Sequence, residues 1–569
     1  MKLYSFFRSL FRRSHRFQDV SPEDVFLDAH NLPQFDQDHF EGRLEQPISN
    51  RVFFGFSIFL VLIGCVFMYR LFMLQVVRGE QFVQQSEQNR LQNSLLFAER
   101  GVIFDRSRNQ LAWNSNSVGL SSFARRQYAT TTGMSHLVGY LKYPVKDSSG
   151  FYYNTNYRGI QGVEKSFDEL LEGQHGKRIV EVDAQGEIIS KSTVQSPVDG
   201  EDITVSIDKT IQHHLYKFIQ QRAQDSGFRG GAGVIMDIST GELIALTSYP
   251  EFDSQNMTNG EAETIQQEQA KEGNPFLNRV ISGQFIPGSI VKPFIALTAL
   301  KEDIISPTTH IVSRGTIEIP NPYDPDKSTL FYDWKKHGPV DMREALAVSS
   351  NIYFYVIGGG FKDQDGLGIT KMADGLKSFG FGSKTGISLS NELSGVVPTP
   401  KWKKRHFDDD VWTLGDTFNV AIGQFGFQVT PIQAVRATAS IANGGYLLTP
   451  HLTPRQNTQS TGIPDIKAPD EFFTIVKEGM RQAVVSEKGT AKGLRVPYID
   501  IAAKTGTAEI GRSSVNSWVT GFFPYENPQY AFTIIMERGP RKNQLGGVSV
   551  ARQLFDWIHQ NKPSFFVRH

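Results

Sequence analysis

The sequence predicts a membrane-anchored α/β (α+β) protein of several domains: a single N-terminal transmembrane helix, an elongated mixed α/β pedestal, and a C-terminal domain of helices packed on a largely antiparallel sheet. Three observations carry this. At 569 residues the chain exceeds what one hydrophobic core ordinarily supports. One apolar run, Val52 to Phe72, is long enough to cross a bilayer. Strand-like alternation marks both ends of the C-terminal half, with helix-spaced apolar runs between them.

Residues 1–51 read as a cytoplasmic tail. Leu3, Phe6, Phe7, Leu10 and Phe11 recur at helical spacing among Lys2, Arg8, Arg12, Arg13 and Arg16. This fits an interfacial amphipathic helix or a flexible basic tail, and both readings stay open. Residues 18–50, with Pro22, Pro33 and Pro47 and no sustained periodicity, read as a linker.

The anchor is placed at 52–74. Its apolar run of about 21 residues makes a helix of roughly 31 Å, the thickness of a bilayer's hydrocarbon. Arg70 near one end can snorkel to the headgroups. The run starts too far into the chain, and lacks the small-residue site, for a cleavable signal. Positive charges before it, including Arg51, place the N-terminus in the cytoplasm and everything after Gln75 on the far side. The only cysteine, Cys65, lies within this run, so no intrachain disulfide can form.

Residues 75–225 show short strands and glycine turns without a catalytic cluster, a non-catalytic pedestal. Gly159 to Phe167 opens a helix, and Lys209 to Gln221 is amphipathic. Arg100, Asp105, Arg106 and Glu164 are expected to be ion-paired and structural. Residues 226–569 form the catalytic domain. It begins with a hairpin, Gly231 to Tyr249, around the turn Ser239-Thr-Gly-Glu. Ile499 to Glu509, Trp518 to Phe523 and Ala531 to Met536 complete its sheet, and a helix from Val548 to His559 ends it.

Three stretches of this half carry chemistry. In Gly283-Gln-Phe-Ile-Pro-Gly-Ser-Ile-Val-Lys-Pro-Phe294, Pro287 and Gly288 break the chain before a helical apolar run, so Ser289 sits at a helix N-terminus. Lys292 then lies one turn below, close enough to share a proton with the hydroxyl. Free backbone N–H groups and the helix dipole there favour an oxyanion. Ala347-Val-Ser-Ser-Asn351 joins two apolar runs and presents Ser349 and Asn351 as neighbours. The strand ending in Lys504, Thr505, Gly506 and Thr507 carries a glycine that lets another backbone approach, which suits a peptide substrate along the edge. A second Lys-Thr-Gly, Lys384 to Gly386, lacks an alternating strand before it and is read as a structural loop.

S-x-x-K, S-x-N and K-T-G in this order are the motif set of penicillin-binding proteins and related β-lactamases. With the membrane span, the Arg100-Gly-Val-Ile-Phe-Asp-Arg106 box and the Gly159 to Phe167 segment, they make the chain resemble a class B penicillin-binding protein from residue 52 to 560. Tyr332-Asp-Trp-Lys-Lys-His-Gly338, Pro398-Thr-Pro-Lys-Trp402, Gly415-Asp-Thr417 and Ile422-Gly-Gln424 are most similar to the elongation-specific penicillin-binding protein 2 subgroup. Asn351 departs from it, since many members carry Asp there, as the division-specific enzymes carry Asn.

The resemblance implies a serine D,D-transpeptidase of the bacterial inner membrane, catalytic domain periplasmic, that cross-links peptidoglycan stem peptides and is acylated by β-lactams. It implies Ser289 as nucleophile, Lys292 as its base and Ser349 as a proton relay. Asn351 would hold Lys292 and the substrate amide, Lys504 and Thr505 the terminal carboxylate, and the 504–507 strand the D-Ala-D-Ala peptide. The N–H groups of Ser289 and Thr507 would form the oxyanion hole. How protons divide between Lys292 and Ser349 stays open. No cofactor and no metal are implied. The implied partners are a RodA-type membrane glycosyltransferase and the elongation machinery.

Other classes fit less well. The 59 basic residues balance 59 acidic ones, which argues against nucleic acid as the main partner. No G-x-S-x-G elbow surrounds Ser289. Asp333 and His337 could ligate a metal, but no third ligand is evident. The pedestal shows no paired acidic site for glycosyl transfer. A division-specific role, or a β-lactam-sensing relative without turnover, remains as an alternative.

Overall fold

The computed structural model describes residues 49–115, 123–148, 152–182, 188–321, 324–408, 411–454 and 463–566. The predicted amphipathic segment Met1 to Phe17 lies outside these residues. The chain divides into two units, Met1–Arg90 and Leu91–His569.

In the first unit, helix α1 (Asn50–Phe72) starts where the Ser49 side chain accepts a hydrogen bond from the Arg51 amide. It runs through a wider turn, Met73–Val77, into a further helix, Gly79–Arg90. The stretch Asn50–Val77 is apolar and long enough to cross a membrane, and none of its most apolar window is buried by protein. Such a surface is stable in lipid and unfavourable in water.

The second unit begins with small sheets. Leu91–Leu96 pairs with Gly176–Val182, which pairs with Ile188–Gln195. A four-stranded sheet holds Ile103–Phe104 and Gln110–Ser115 at its centre. Of the four charged residues expected to be ion-paired, Arg100 and Glu164 are paired with each other and Asp105, among the described residues, is not. Glu164, fully buried, binds Arg100 at 2.7 Å and Arg126 at 2.8 Å, and Arg100 also reaches Asp168. Burial alone would raise the Glu164 carboxyl; Arg126 and then Arg100 hold it below its ordinary value. Asp105 instead shapes a turn by accepting from the Ser107 and Asn109 amides.

Helix α2 (Lys209–Ser226) is capped by Asp208, whose carboxylate accepts from the Thr210 and Ile211 amides, and it ends at the left-handed Gly227. Strands β1 (Gly230–Asp237) and β2 (Leu243–Tyr249) form the expected hairpin. Helices follow: α3 (Lys292–Lys301), α4 (Met342–Val348), α5 (Asn351–Gly359), α6 (Pro431–Ala442) and α7 (Asp470–Val485). Strands β3 (Ala502–Ile510), β4 (Ser514–Phe523) and β5 (Tyr530–Pro540) precede helix α8 (Gly546–Asn561).

The five strands make one antiparallel sheet in the order β2-β1-β5-β4-β3. Its two faces are both apolar because successive side chains point opposite ways. Val234 and Met236 pack with the core that includes Val435 and Ala439 of α6. Ile235 packs with Leu215 of α2 and Leu554 of α8. Helices therefore cover both faces, and β3, at the sheet's edge, keeps one side open to the site.

Candidate active site

Ser289 stands on a tight turn, Gly288–Val291, immediately before α3 rather than in its first α-helical turn. Gly288 has φ +58°, and a Cβ there would lie 2.8 Å from the Thr507 carbonyl oxygen, so only glycine fits. The turn is fixed from three sides. Gly288 N–H donates to Gly423 O at 2.9 Å, Phe285 and Val429 exchange two backbone bonds, and the Trp518 indole donates to Ile286 O at 3.0 Å.

Gly506 faces this turn as well. A Cβ at 506 would lie 2.7 Å from the Pro287 carbonyl oxygen and 2.8 Å from Ile290 Cγ2. The backbone that closely approaches Gly506 in this structure is the protein's own serine turn. The same contact sets the serine turn against β3, and so brings the first and third motifs together.

Lys292 is fully buried. Its Nζ donates to Ser349 O and Asn351 Oδ1, each at 2.8 Å, and to Ser349 Oγ at 3.3 Å. Lys504, equally buried, donates to Ser349 Oγ at 2.8 Å and Thr505 O at 3.0 Å. Ser349 is held in the left-handed region, φ 57°, where α4 ends, a conformation that strains a residue with a Cβ and aims its hydroxyl and carbonyl at the lysines. The expected direct bond between Ser289 and Lys292 is corrected here. Among the described residues Ser289 Oγ has no hydrogen-bond partner, because the amine is drawn to three oxygens of the second motif. Catalytic bonds often close only around substrate.

Burial pushes the Lys292 amine down to about 7, against the opposing pull of Asp333. Lys504 is lowered well below its ordinary range, by burial first and by the charge of Lys292 second. A pocket with two buried amines on one hydroxyl disfavours double protonation.

Thr505 and Thr507 are half-buried, whereas Lys504 and Gly506 are buried. Thr505 Oγ1 donates to Thr490 Oγ1 at 2.8 Å, and the Thr490 amide donates to Ala347 O at 3.1 Å. Thr490 therefore ties the third motif to the second.

Asp333, a candidate metal ligand in the sequence, is held instead by hydrogen bonds from the second motif and its neighbours. Its carboxylate accepts from Ser350 Oγ at 2.7 Å, from the Asn351 and Trp334 amides at 2.9 Å, from Ser313 Oγ at 3.0 Å and from the Ile352 amide at 3.2 Å. Burial would raise this carboxyl; His337, whose Nε2 stands 3.6 Å from it, and the hydrogen bonds from Asn351, Ser350 and Ile352 hold it far below the usual range. It is an anion at the N-terminus of α5 that fixes Asn351 and faces Lys292. Among the described residues, no three His, Cys, Asp or Glu side chains gather as a metal site. The other Lys-Thr-Gly is engaged elsewhere: the Glu392 carboxylate accepts from the Thr385 amide at 2.6 Å and the Gly386 amide at 3.2 Å.

A serine on a rigid turn, two buried amines of lowered basicity, a bridging hydroxyl and an open strand edge are the features of a serine acyltransferase site with lysines, rather than a histidine, grouped beside the serine turn. Residues 231–559 match the penicillin binding protein transpeptidase domain, and residues 118–205 the penicillin-binding protein dimerisation domain. The chain belongs to the penicillin-binding protein transpeptidase family. The peptidoglycan D,D-transpeptidase MrdA of Acinetobacter baumannii is 32% identical over 77% of this chain and 67% of its own length. Penicillin-binding protein 2 of Helicobacter pylori, solved in complex with MreC, superposes with a TM-score of 0.69 at 27% identity, over 83% of this chain and 100% of the solved one. Pseudomonas aeruginosa PBP2, in complex with WCK 5153, gives a TM-score of 0.69 at 27% identity, over 83% and 98%.

Proposed function

We propose that the chain is a peptidoglycan D,D-transpeptidase of cell elongation. The observation that carries this reading is the convergence of Lys292 and Lys504 on Ser349, beside the Ser289 turn. Neutral Lys292 takes the proton of Ser289 as Oγ attacks the carbonyl between two D-alanines. The N–H groups of Ser289 and Thr507 stabilise the oxyanion. Ser349 gives its proton to the leaving amine and regains one from Lys292, so D-alanine departs and an ester remains on Ser289. The amine of a neighbouring stem peptide then attacks the ester, and the protons return along the same path. Thr505 and Thr507 receive the terminal carboxylate, with the Lys504 amine behind them. A β-lactam enters the same first step.

The domain reading is a tail at 1–51, an anchor at 52–74, a pedestal at 75–225 and a catalytic domain at 226–569, with the last outside the cytoplasm. The match of the MreC-bound relative supports a place in the elongation machinery, where a RodA-type glycosyltransferase would supply glycan. Asn351 alone favours a division role. Fluorescent penicillin should label the wild type and not Ser289→Ala, and a pentapeptide should release D-alanine only with the wild type. Depletion in cells should give rounding; filamentation would move the assignment to division.

A further inference from the structure

The hydroxyls of Thr505, on β3, and Thr490, in the loop after α7, stand 2.8 Å apart, and both residues are half-buried. Thr490 is held there by its backbone. Its amide donates to Ala347 O at 3.1 Å, the amide of Ala491 donates to Ala483 O at 2.8 Å, and a Cβ on Gly489 would lie 2.3 Å from that same Ala483 oxygen. The Thr490 hydroxyl thus has a fixed seat and two oxygens within reach, Thr505 Oγ1 and, at a long 3.5 Å, Ala347 O.

One proton fills a contact between two hydroxyl oxygens, and either oxygen can supply it. Here Thr505 supplies it, and the Thr490 proton is left for Ala347 O. A carboxylate changes the count, because an ionised carboxylate only accepts and calls on the Thr505 proton. The 2.8 Å contact must then be filled from Thr490, or two lone pairs face each other across it. Thr490 can turn its proton without loss elsewhere, since its own amide still serves Ala347 O. A hydroxyl that accepts while it donates is also the stronger donor.

We propose that Thr490 is a positioning residue of the carboxylate subsite: its hydroxyl donates to Thr505 Oγ1 and so holds the Thr505 proton towards the terminal carboxylate of the stem peptide, or the carboxylate of a penicillin. This rests on the transpeptidase reading, which supplies the carboxylate. Thr490 acts through Thr505 and before any covalent bond is made, so its contribution belongs to binding and not to the chemical step.

The test mixes the full chain in detergent rapidly with rising concentrations of benzylpenicillin. This separates the dissociation constant of the first complex from the limiting rate of acylation, with both read per site labelled at saturation. Thr490→Val keeps the shape and the backbone bond to Ala347 but loses the hydroxyl. It should weaken the first complex about three- to tenfold and leave the limiting rate within about twofold of the wild type. Thr490→Ser should restore wild-type binding. Thr505→Val should weaken binding by itself, and adding Thr490→Val to it should cost nothing more, because a residue that works through the Thr505 hydroxyl has no effect once that hydroxyl is gone. Unchanged binding in Thr490→Val, a loss confined to the limiting rate, no recovery with serine, or a loss that adds to that of Thr505→Val would overturn the inference. Each of those results requires labelling of the wild type and leaves the transpeptidase reading standing. A wild-type chain that penicillin does not label would instead bring down that reading, and this inference with it.

Discussion

Lys504 Nζ lies 2.8 Å from Ser349 Oγ, the same oxygen that Lys292 approaches at 3.3 Å. One hydroxyl thus connects two amines, and a proton taken by Lys292 has a short route out. With its amine lowered to about 7 by burial, Lys292 is about one-tenth neutral at pH 6 and about nine-tenths neutral at pH 8. The rate of acylation by benzylpenicillin should therefore rise about tenfold between those values and level off above. A flat profile across that range would remove Lys292 as the base.

Asn351 Oδ1 accepts from Lys292 at 2.8 Å, so Asn351→Asp places a carboxylate against the amine. An opposite charge that close favours the ammonium and raises its pKa by about 1–3 units. Acylation of this variant should slow about tenfold at pH 7 and recover by pH 9. Equal slowing at every pH would assign Asn351 to binding alone.

Local chemistry made much of this legible in the sequence. The hairpin around Ser239 to Glu242 follows from alternation and turn chemistry, which act over a few residues. The Lys384 loop could be set aside because no strand precedes it. What escaped depends on contacts between distant segments. Asp333 takes its meaning from α5, Thr490 from Ala347 and Thr505, and Gly506 from Pro287. The direction of the Lys292 side chain was missed for the same reason: spacing puts it near Ser289, but the oxygens that draw it lie on residues 349 and 351.

Gly506→Ala tests how far the serine turn depends on β3. The added Cβ would stand 2.7 Å from the Pro287 carbonyl oxygen, closer than real contacts allow, and would displace the segment that carries Ser289. A misplacement of about 1 Å lowers rates by roughly a hundredfold. Acylation should fall by that order while the circular dichroism spectrum stays unchanged. A wild-type rate would mean that turn and strand move independently.

Glu164 tests the buried charges of the N-terminal segment. It faces Arg100 and Arg126, and Arg100 keeps Asp168 if Glu164 is lost, whereas Arg126 is left with the Asn114 side chain. Breaking a buried pair from one side strands the remaining charge and costs about 3–5 kcal/mol. Glu164→Gln should accordingly lower the melting temperature sharply, and adding Arg126→Met, which removes the stranded charge, should restore part of the loss. Acylation by penicillin, measured on the folded fraction below the transition, should match the wild type in both variants, because no contact of Glu164 involves Ser289, Ser349 or either lysine. A deficit in acylation that survives the rescue of stability would show instead that this ion cluster is coupled to the serine turn.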